Sequence, residues 1–335
     1  MGITTGPPAG PASGVRQALR RGRAGSRVGT RAARTAPRVG PDGRRRRRVE
    51  LTPYLFLLVP VGLLVTFTYV PVMNMVGYSF TDWNGISKDR DVVGLANYAR
   101  IFGGPEYFEV FFVSLYYFAA SFVQMGLALY FATVLSFSTR FRNLFKGILF
   151  FPYLINGVAI GFTFLYFFRP GGTLDTTLAA LGLEALTTQW LGNPDVINVS
   201  LAGTSVWRYT GLNFVLFLGA IQSINPHLYE AAELDGANRW DQFRWIILPS
   251  IKPVVTLSFI LAVSGSLAVF EIPYVMTGGA NGSETFVIQT IGLAFEMRPR
   301  RVGLASAMAV VLLLFVLLIT WIQRKVVPDE KVNLT

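Results

Sequence analysis

The residues most suited to a defined task lie between positions 225 and 249. They read Asn225-Pro-His-Leu-Tyr-Glu-Ala-Ala-Glu-Leu-Asp-Gly236, then Ala-Asn-Arg-Trp-Asp-Gln-Phe-Arg-Trp-Ile-Ile-Leu-Pro249. Two short helices are expected. Asn225 is a good N-cap and Pro226 suits the first helical position; Glu230, Ala231 and Ala232 support the helix, and Gly236 can adopt the positive φ that ends it. After the turn, Trp240, Phe243, Ile246 and Ile247 recur at helical spacing, an amphipathic stretch leading into Pro249 and a further helix. The chemistry is that of docking. Small alanines let a partner surface approach closely, and a flanking glutamate offers a charge-assisted anchor. Periodicity alone equally allows an amphipathic linker resting on a bilayer surface.

Covalent catalysis finds little support. With no cysteine and one histidine, His227, the chain lacks thiolate chemistry and a histidine-rich metal centre, and no metal site is expected. No Gly-x-x-x-x-Gly-Lys-Ser/Thr run occurs, so ATP is not bound in the P-loop manner and energy must come from elsewhere. Within the apolar runs, polar and aromatic side chains could face a transport pathway: Gln124, Asn156, Trp207, Tyr209, Asn213, Ser264, Ser266 and Phe270. Hydroxyl-rich cargo suits them, because hydroxyls need hydrogen-bond partners and sugar rings stack on aromatics. Each could instead join two helices. Arg208, near the middle of one apolar run, is expensive there and suggests function; snorkelling, or a helix that begins later, is the alternative. The run centres contain no Asp or Glu, and Glu271 falls near an outer end. An ion-coupled carrier or channel, the competing class, would usually place a carboxylate inside.

The elements that position these residues are membrane helices. The chain is 52% hydrophobic and 15% charged, a balance that a water-soluble fold would struggle to carry. Apolar runs at about 51–80, 108–137, 148–168, 196–221, 254–272 and 302–322 are near or above the roughly 20 residues a helix needs to cross hydrocarbon. An all-α membrane protein of six transmembrane helices follows, because an open chain in lipid must satisfy each backbone group within its own segment. The run of arginines at 44–48 precedes the first helix and places the N-terminus in the cytoplasm; six crossings place the C-terminus there too. Arg140, Arg142, Lys146, Arg239, Arg244, Lys252, Arg324, Lys325 and Lys331 then fall inside, while Arg298, Arg300 and Arg301 dissent on an outer loop. In the outer segment 169–195, residues 173–182 read as a short surface helix or a solvated loop, and Pro60, Pro71 and Pro152 mark tolerable kinks.

The net charge of +11 lies in the tail: residues 1–50 hold 13 arginines against Asp42 and Glu50, and beyond them 17 basic residues meet 17 acidic ones. No basic groove for nucleic acid is implied. The tail, rich in Gly, Pro, Ala and Arg, is expected to be disordered and cytoplasmic, with the transmembrane body at 51–335. It lacks the apolar core of a secretory signal, although an Arg-rich, acid-poor targeting presequence fits its composition.

The run Glu230-Ala231-Ala232, three residues, Gly236, nine residues, Ile246, one residue, Leu248-Pro249 resembles the EAA loop of binding-protein-dependent ABC importer permeases. With helix count and Tyr274-Val-Met-Thr-Gly-Gly279, the resemblance spans about 51–325 and is greatest to the carbohydrate-uptake branch, including maltose-type sugar permeases. It implies the type I importer fold, with the loop at about 222–249 carrying a coupling helix that sits in a cleft of an ATPase subunit. Glu230, Ala231, Ala232 and Gly236 would be the docking residues, with Leu234 and Asp235 beside them. It further implies a non-catalytic subunit without cofactor in a multi-pass bacterial membrane setting. The implied partners are a homologous second permease, two cytoplasmic ATPases that bind ATP and Mg, an extracytoplasmic solute-binding protein delivering a sugar or oligosaccharide, and membrane lipid.

Overall fold

In the computed structural model, residues 52–137 and 141–326 are described; the tail 1–50 with its arginine run, and Arg140 and Lys331, lie outside them. The chain divides into two units, 1–58 and 59–335, and the packing below is that of the second. Among the described residues the secondary structure is helical, apart from an isolated bridge between Thr81 and Val92. In chain order the helices are α1 (Thr52–Leu64), α2 (Val70–Tyr78), α3 (Ala96–Gly103), α4 (Pro105–Ser136), α5 (Arg142–Leu154), α6 (Gly157–Phe168) and α7 (Thr173–Ala180). Then follow α8 (Pro194–Gln222), α9 (Pro226–Leu234), α10 (Arg239–Gln242), α11 (Leu248–Leu267), α12 (Glu271–Thr277), α13 (Phe286–Ile291) and α14 (Val302–Val326).

Local chemistry explains the boundaries. α4 starts on extended Gly104 with Pro105 in its first turn and Glu106 at the positive end of its dipole. α8 is capped by the Asn193 side chain, which accepts from the Asp195 N–H. Two of the prolines inside spans follow wide turns. A π turn at Val65–Tyr69 precedes Pro71, and another at Phe243–Ile247 precedes Pro249. Each widened turn stands where the proline ring would crowd the carbonyl four residues back.

Among the described residues, four helices are long and apolar enough to cross a membrane: Leu55–Tyr78, Pro105–Ser136, Arg239–Thr277 and Val302–Lys325. The expected third span is not one straight rod. α5 and α6 are bent by 96° at Ile155-Asn156, where α5 ends two residues after Pro152 and the Asn156 side chain caps α6. The bent pair makes a fifth crossing if counted as one span. α8, the expected fourth span, has the length, 29 residues, but is too polar to join that set. Its Thr204, Ser205 and Thr210 hydroxyls donate to the carbonyls of Ser200, Leu201 and Val206 one turn back, and this internal satisfaction lets a polar helix run through the bundle. The fifth span reaches farther than expected at its start: α10, the π turn, α11 and α12 form one apolar stretch from Arg239 to Thr277. Residues 173–182 settle as the short helix α7 followed by a turn.

Helix α8 is the hub, packed most extensively on α4 and then on α5. Tyr117 of α4 shares a cluster with Ile197 and Leu201 of α8, and Ala128, Ala132 and Leu135 share another with Phe214, Phe217 and Ile221. The two helices therefore run in the same direction. Between apolar helices in lipid, close contact and dispersion do the work that water does for soluble cores. Small residues make the contact. At Gly211 of α8 an added Cβ would stand 2.5 Å from the Leu149 carbonyl oxygen of α5, and at Gly161 of α6 it would stand 2.6 Å from Val275 of α12.

Gly211→Ala is expected to lower stability by about 1–3 kcal/mol, because a backbone carbonyl cannot step aside cheaply. Gly219→Ala on the same helix meets nothing within 4 Å and should be neutral, or stabilising by up to about 1 kcal/mol through helix propensity. Thermal unfolding of the two purified variants against the parent checks this contrast.

Candidate functional site

Helix α9 is held firmly at both ends. Asn225 Oδ1 accepts from the His227 N–H at 3.1 Å, and Pro226 opens the first turn. At the other end Gly236 takes φ +83°. Its N–H donates to Glu233 O at 3.1 Å, and the Ala237 N–H donates to Ala232 O at 2.9 Å. This pair of bonds closes a helix with a left-handed glycine. Asn238 and Asp241 then exchange side-chain-to-backbone bonds in a reciprocal capping box that starts α10. The turn between the helices is thus fixed by hydrogen bonds at each step. One side-chain bond, Gln242 Nε2 to Glu233 Oε1 at 3.4 Å, also ties α10 to α9.

The helix so fixed has no buried residue. Leu234 at its end is 90% exposed, and Leu228, Trp240 and Trp245 are also open. Ala231, Asp235 and Gly236 are exposed, Ala232 is half-buried, and Glu230 reaches back to His227, Oε2 to Nδ1 at 2.9 Å, on the exposed surface. All six sequence-nominated docking residues therefore fall on one rigid projection. The helix is anchored through Tyr229, which packs on the cluster of Ala132, Phe217, Ile221, Ile247 and Ile251; burial pushes its hydroxyl pKa up. Leu228, Leu234, Trp240 and Trp245 together leave large apolar side chains open around this turn.

Between the two α4–α8 clusters lies a cavity of about 470 Å³ walled by α4, α8, α11 and the start of α12. Its polar wall is regular. Tyr117, Ser121 and Gln124 share one face of α4, and Ser205, Tyr209 and Asn213 share one face of α8; Ser258, Ser266, Phe270 and Glu271 complete it. Tyr117 (5% exposed) and Ser258 (2% exposed) are buried, and their hydroxyls have no protein partner. Buried hydroxyls without a partner are costly, and here both belong to the wall of a cavity roomy enough for a polar occupant.

Of the nominated pathway residues, Gln124, Tyr209, Asn213, Ser266 and Phe270 line this cavity. Asn156 does not: it is exposed, and its side chain caps α6 by accepting from the Val158 N–H at 2.9 Å. Trp207 turns to the Phe164 ring of α6, 5.2 Å away, and Ser264 stands outside the lining. Arg208 also stands outside it; its Nη1 donates to Glu271 Oε2 at 2.7 Å, while its buried Nε has no hydrogen-bond partner. The pair rests against Gly157, where a Cβ would collide with both partners. Sequence reasoning passed over Tyr117, Ser121, Ser205 and Ser258 as cavity residues, and Glu271 as the partner of Arg208. A usable signal existed for four of them: 117, 121 and 124 on α4, with 205, 209 and 213 on α8, repeat at helical spacing, and Ser258 precedes Ser266 by two turns.

The family model described as "Binding-protein-dependent transport system inner membrane component" matches residues 124–332, a stretch that includes the cavity's α8 and α11 walls and the whole of α9. The chain belongs to that family. This inner-membrane transport component is 32% identical over 280 residues to the probable ABC transporter permease protein YurN of Bacillus subtilis (strain 168), covering 82% of this chain and 96% of the relative. It is 28% identical to the multiple sugar-binding transport system permease protein MsmF of Streptococcus mutans serotype c, covering 81% and 93%. A solved bacterial ABC transporter involved in the import of the acidic polysaccharide alginate shares the fold, with a TM-score of 0.70 at 22% identity, covering 82% of this chain and 96% of that one. The family membership disfavours the ion-coupled carrier weighed from sequence. The chain is a multi-pass permease subunit of the inner membrane.

Proposed function

We propose that this permease subunit imports a sugar or oligosaccharide delivered by an extracytoplasmic binding protein, paired with a homologous second permease and driven by two ATPases that hold the ATP and Mg. The observation that carries the reading is α9: a helix capped at both ends, without a buried residue, projecting Leu234 into solvent. The sugar reading is supported by the cavity's hydroxyl and amide lining and by the multiple-sugar name of the Streptococcus relative. In this reading Glu230, Ala231, Ala232, Leu234, Asp235 and Gly236 meet an ATPase. The cluster around Tyr229 passes its movement to α8 and α11, two walls of the cavity. Packed helices shift as bodies, so a push on α9 becomes a change in access to the cavity. The exposed apolar helix Leu55–Tyr78 is available to lipid and to the second permease.

The reading includes six crossings, with α5 and α6 as one broken span and α8 as the most polar span, and with both termini and α9 in the cytoplasm. Helix parity and the cations Lys146, Arg239, Arg244 and Lys252 support that side, and Arg298, Arg300 and Arg301 oppose it.

Gly236→Pro tests the coupling. Proline cannot take φ +83° and removes the N–H that donates to Glu233. Radiolabelled sugar uptake into vesicles holding the full complex should fall at least tenfold, by roughly 1.4 kcal/mol or more in barrier terms, with the protein still inserted; unchanged uptake would sink the assignment. Because the chain has no cysteine, topology can be read by single replacements. A membrane-impermeant maleimide applied to intact cells should label Thr187→Cys and spare Leu228→Cys, and the reverse pattern would invert the topology.

A further inference from the structure

Among the described residues lining the cavity, Glu271 is the one that carries charge. Its side chain is 39% exposed, whereas its partner Arg208 is 12% exposed and stands outside the lining. The pair is therefore asymmetric toward the cavity: the anion faces it and the cation stands behind. We infer that Glu271, held in place by Arg208, is a specificity-determining residue that favours neutral, hydroxyl-rich saccharides and turns away saccharides bearing carboxylates. The inference rests on the permease reading above and names the class of cargo for it.

Three observations carry it. First, one carboxylate oxygen is engaged by Arg208 Nη1 at 2.7 Å, and the other is free to accept from a cargo hydroxyl. A hydroxyl-to-carboxylate bond is charge-assisted and stronger than its neutral counterpart. Second, the pair cannot easily swap places. Gly157 presses on both partners where a side chain would not fit, and the Arg208 guanidinium lies 5.2 Å from the Tyr209 ring centre, a contact that further holds the cation. Third, the remaining polar lining is uncharged. The Tyr117 and Ser258 hydroxyls lack protein partners, and Gln124 and Asn213 add amides that both donate and accept. This mixture matches a polyol. A uronate entering the same space would bring its carboxylate near Glu271 without a lining cation to offset it, in surroundings where water screens poorly. The fold likeness to an alginate importer therefore does not extend to acidic cargo.

The test uses the complete importer in lipid nanodiscs, without its binding protein, so that only the membrane cavity selects. Calorimetric titration with maltotriose and cellotriose as neutral probes and with trigalacturonate as the acidic probe gives a neutral-to-acidic affinity ratio. The wild type should prefer the better neutral probe at least tenfold. Glu271→Gln should bring the ratio within about threefold, chiefly by strengthening trigalacturonate binding, because Arg208 is then uncompensated. The double variant Arg208→Gln/Glu271→Gln, in which the pair's net charge stays at zero, should also lose most of the preference, since what matters is the sign of the charge facing the cargo. Glu271→Asp should keep it. A wild-type ratio near one, or a ratio unmoved in Glu271→Gln while that variant still binds, would overturn the inference. So would binding of neither class by the wild type, whereas the permease reading fails separately, if the wild-type complex shows no ATP-driven sugar uptake in the vesicle assay above.

Discussion

A polar group in hydrocarbon must find its partner inside the protein, and α8 shows how much of this chain answers to that demand. Its serines and threonines bond back to their own helix, its Arg208 meets Glu271, and its Tyr209 and Asn213 open onto the cavity. Such a helix would be costly facing lipid. It is tolerable at the centre, wrapped by α4, α5, α11 and α12. The Arg208–Glu271 pair has a second consequence. It joins α8 to the start of α12 and lies against the first residue of α6, so the break between α5 and α6 and the break between α11 and α12 meet at one ion pair. Removing one partner alone would leave a charge with little water to shield it.

From that centre the molecule divides its labour along the length of α8. Toward the start of the helix, Ile197 and Leu201 pack with Tyr117, Ile272 and Met276; toward its end, Phe217 and Ile221 pack with Ile247, Ile251 and the Tyr229 ring of α9. The cavity lies between. A rigid, exposed α9 at one end and a cavity between the clusters are joined by interdigitated side chains, a medium that moves as a body and does not absorb displacement. In the proposed coupling, firm capping of α9 would serve the same end, because a helix that frayed under load would transmit nothing.

Much of this was legible in the sequence, for physical reasons. The cap at Asn225, the left-handed stop at Gly236 and the first-turn Pro226 are local properties, and each stands where the residues put it. The long apolar helices α4 and α14 were equally plain, since hydropathy and length suffice. What depended on tertiary partners was harder to see. Asn156 looked like a pathway residue and is a helix cap, because Pro152 ends α5 and leaves α6 needing a start. Trp207 faced the wrong neighbour, because side-chain direction on α8 is set by which helices surround it. Glu271 was noted and not paired with Arg208, since 63 positions separate them and periodicity does not reach that far. The second half of the loop was expected to be its own short helix, yet it runs on through Pro249 into α11, because the π turn before the proline relieves the clash.

The central claim, that α9 is the contact through which an ATPase drives this subunit, is most directly tested by crosslinking. Leu234→Cys in the assembled complex, on the naturally cysteine-free chain, is treated with a short bifunctional thiol reagent. Each ATPase variant carries one cysteine, and a scan of its surface cleft supplies the partners. A covalent adduct at one or a few neighbouring cleft positions, whose yield changes when ATP is added, is the expected result. If the complex co-purifies intact and no cleft position reacts with residue 234 in any nucleotide state, α9 is not the docking element.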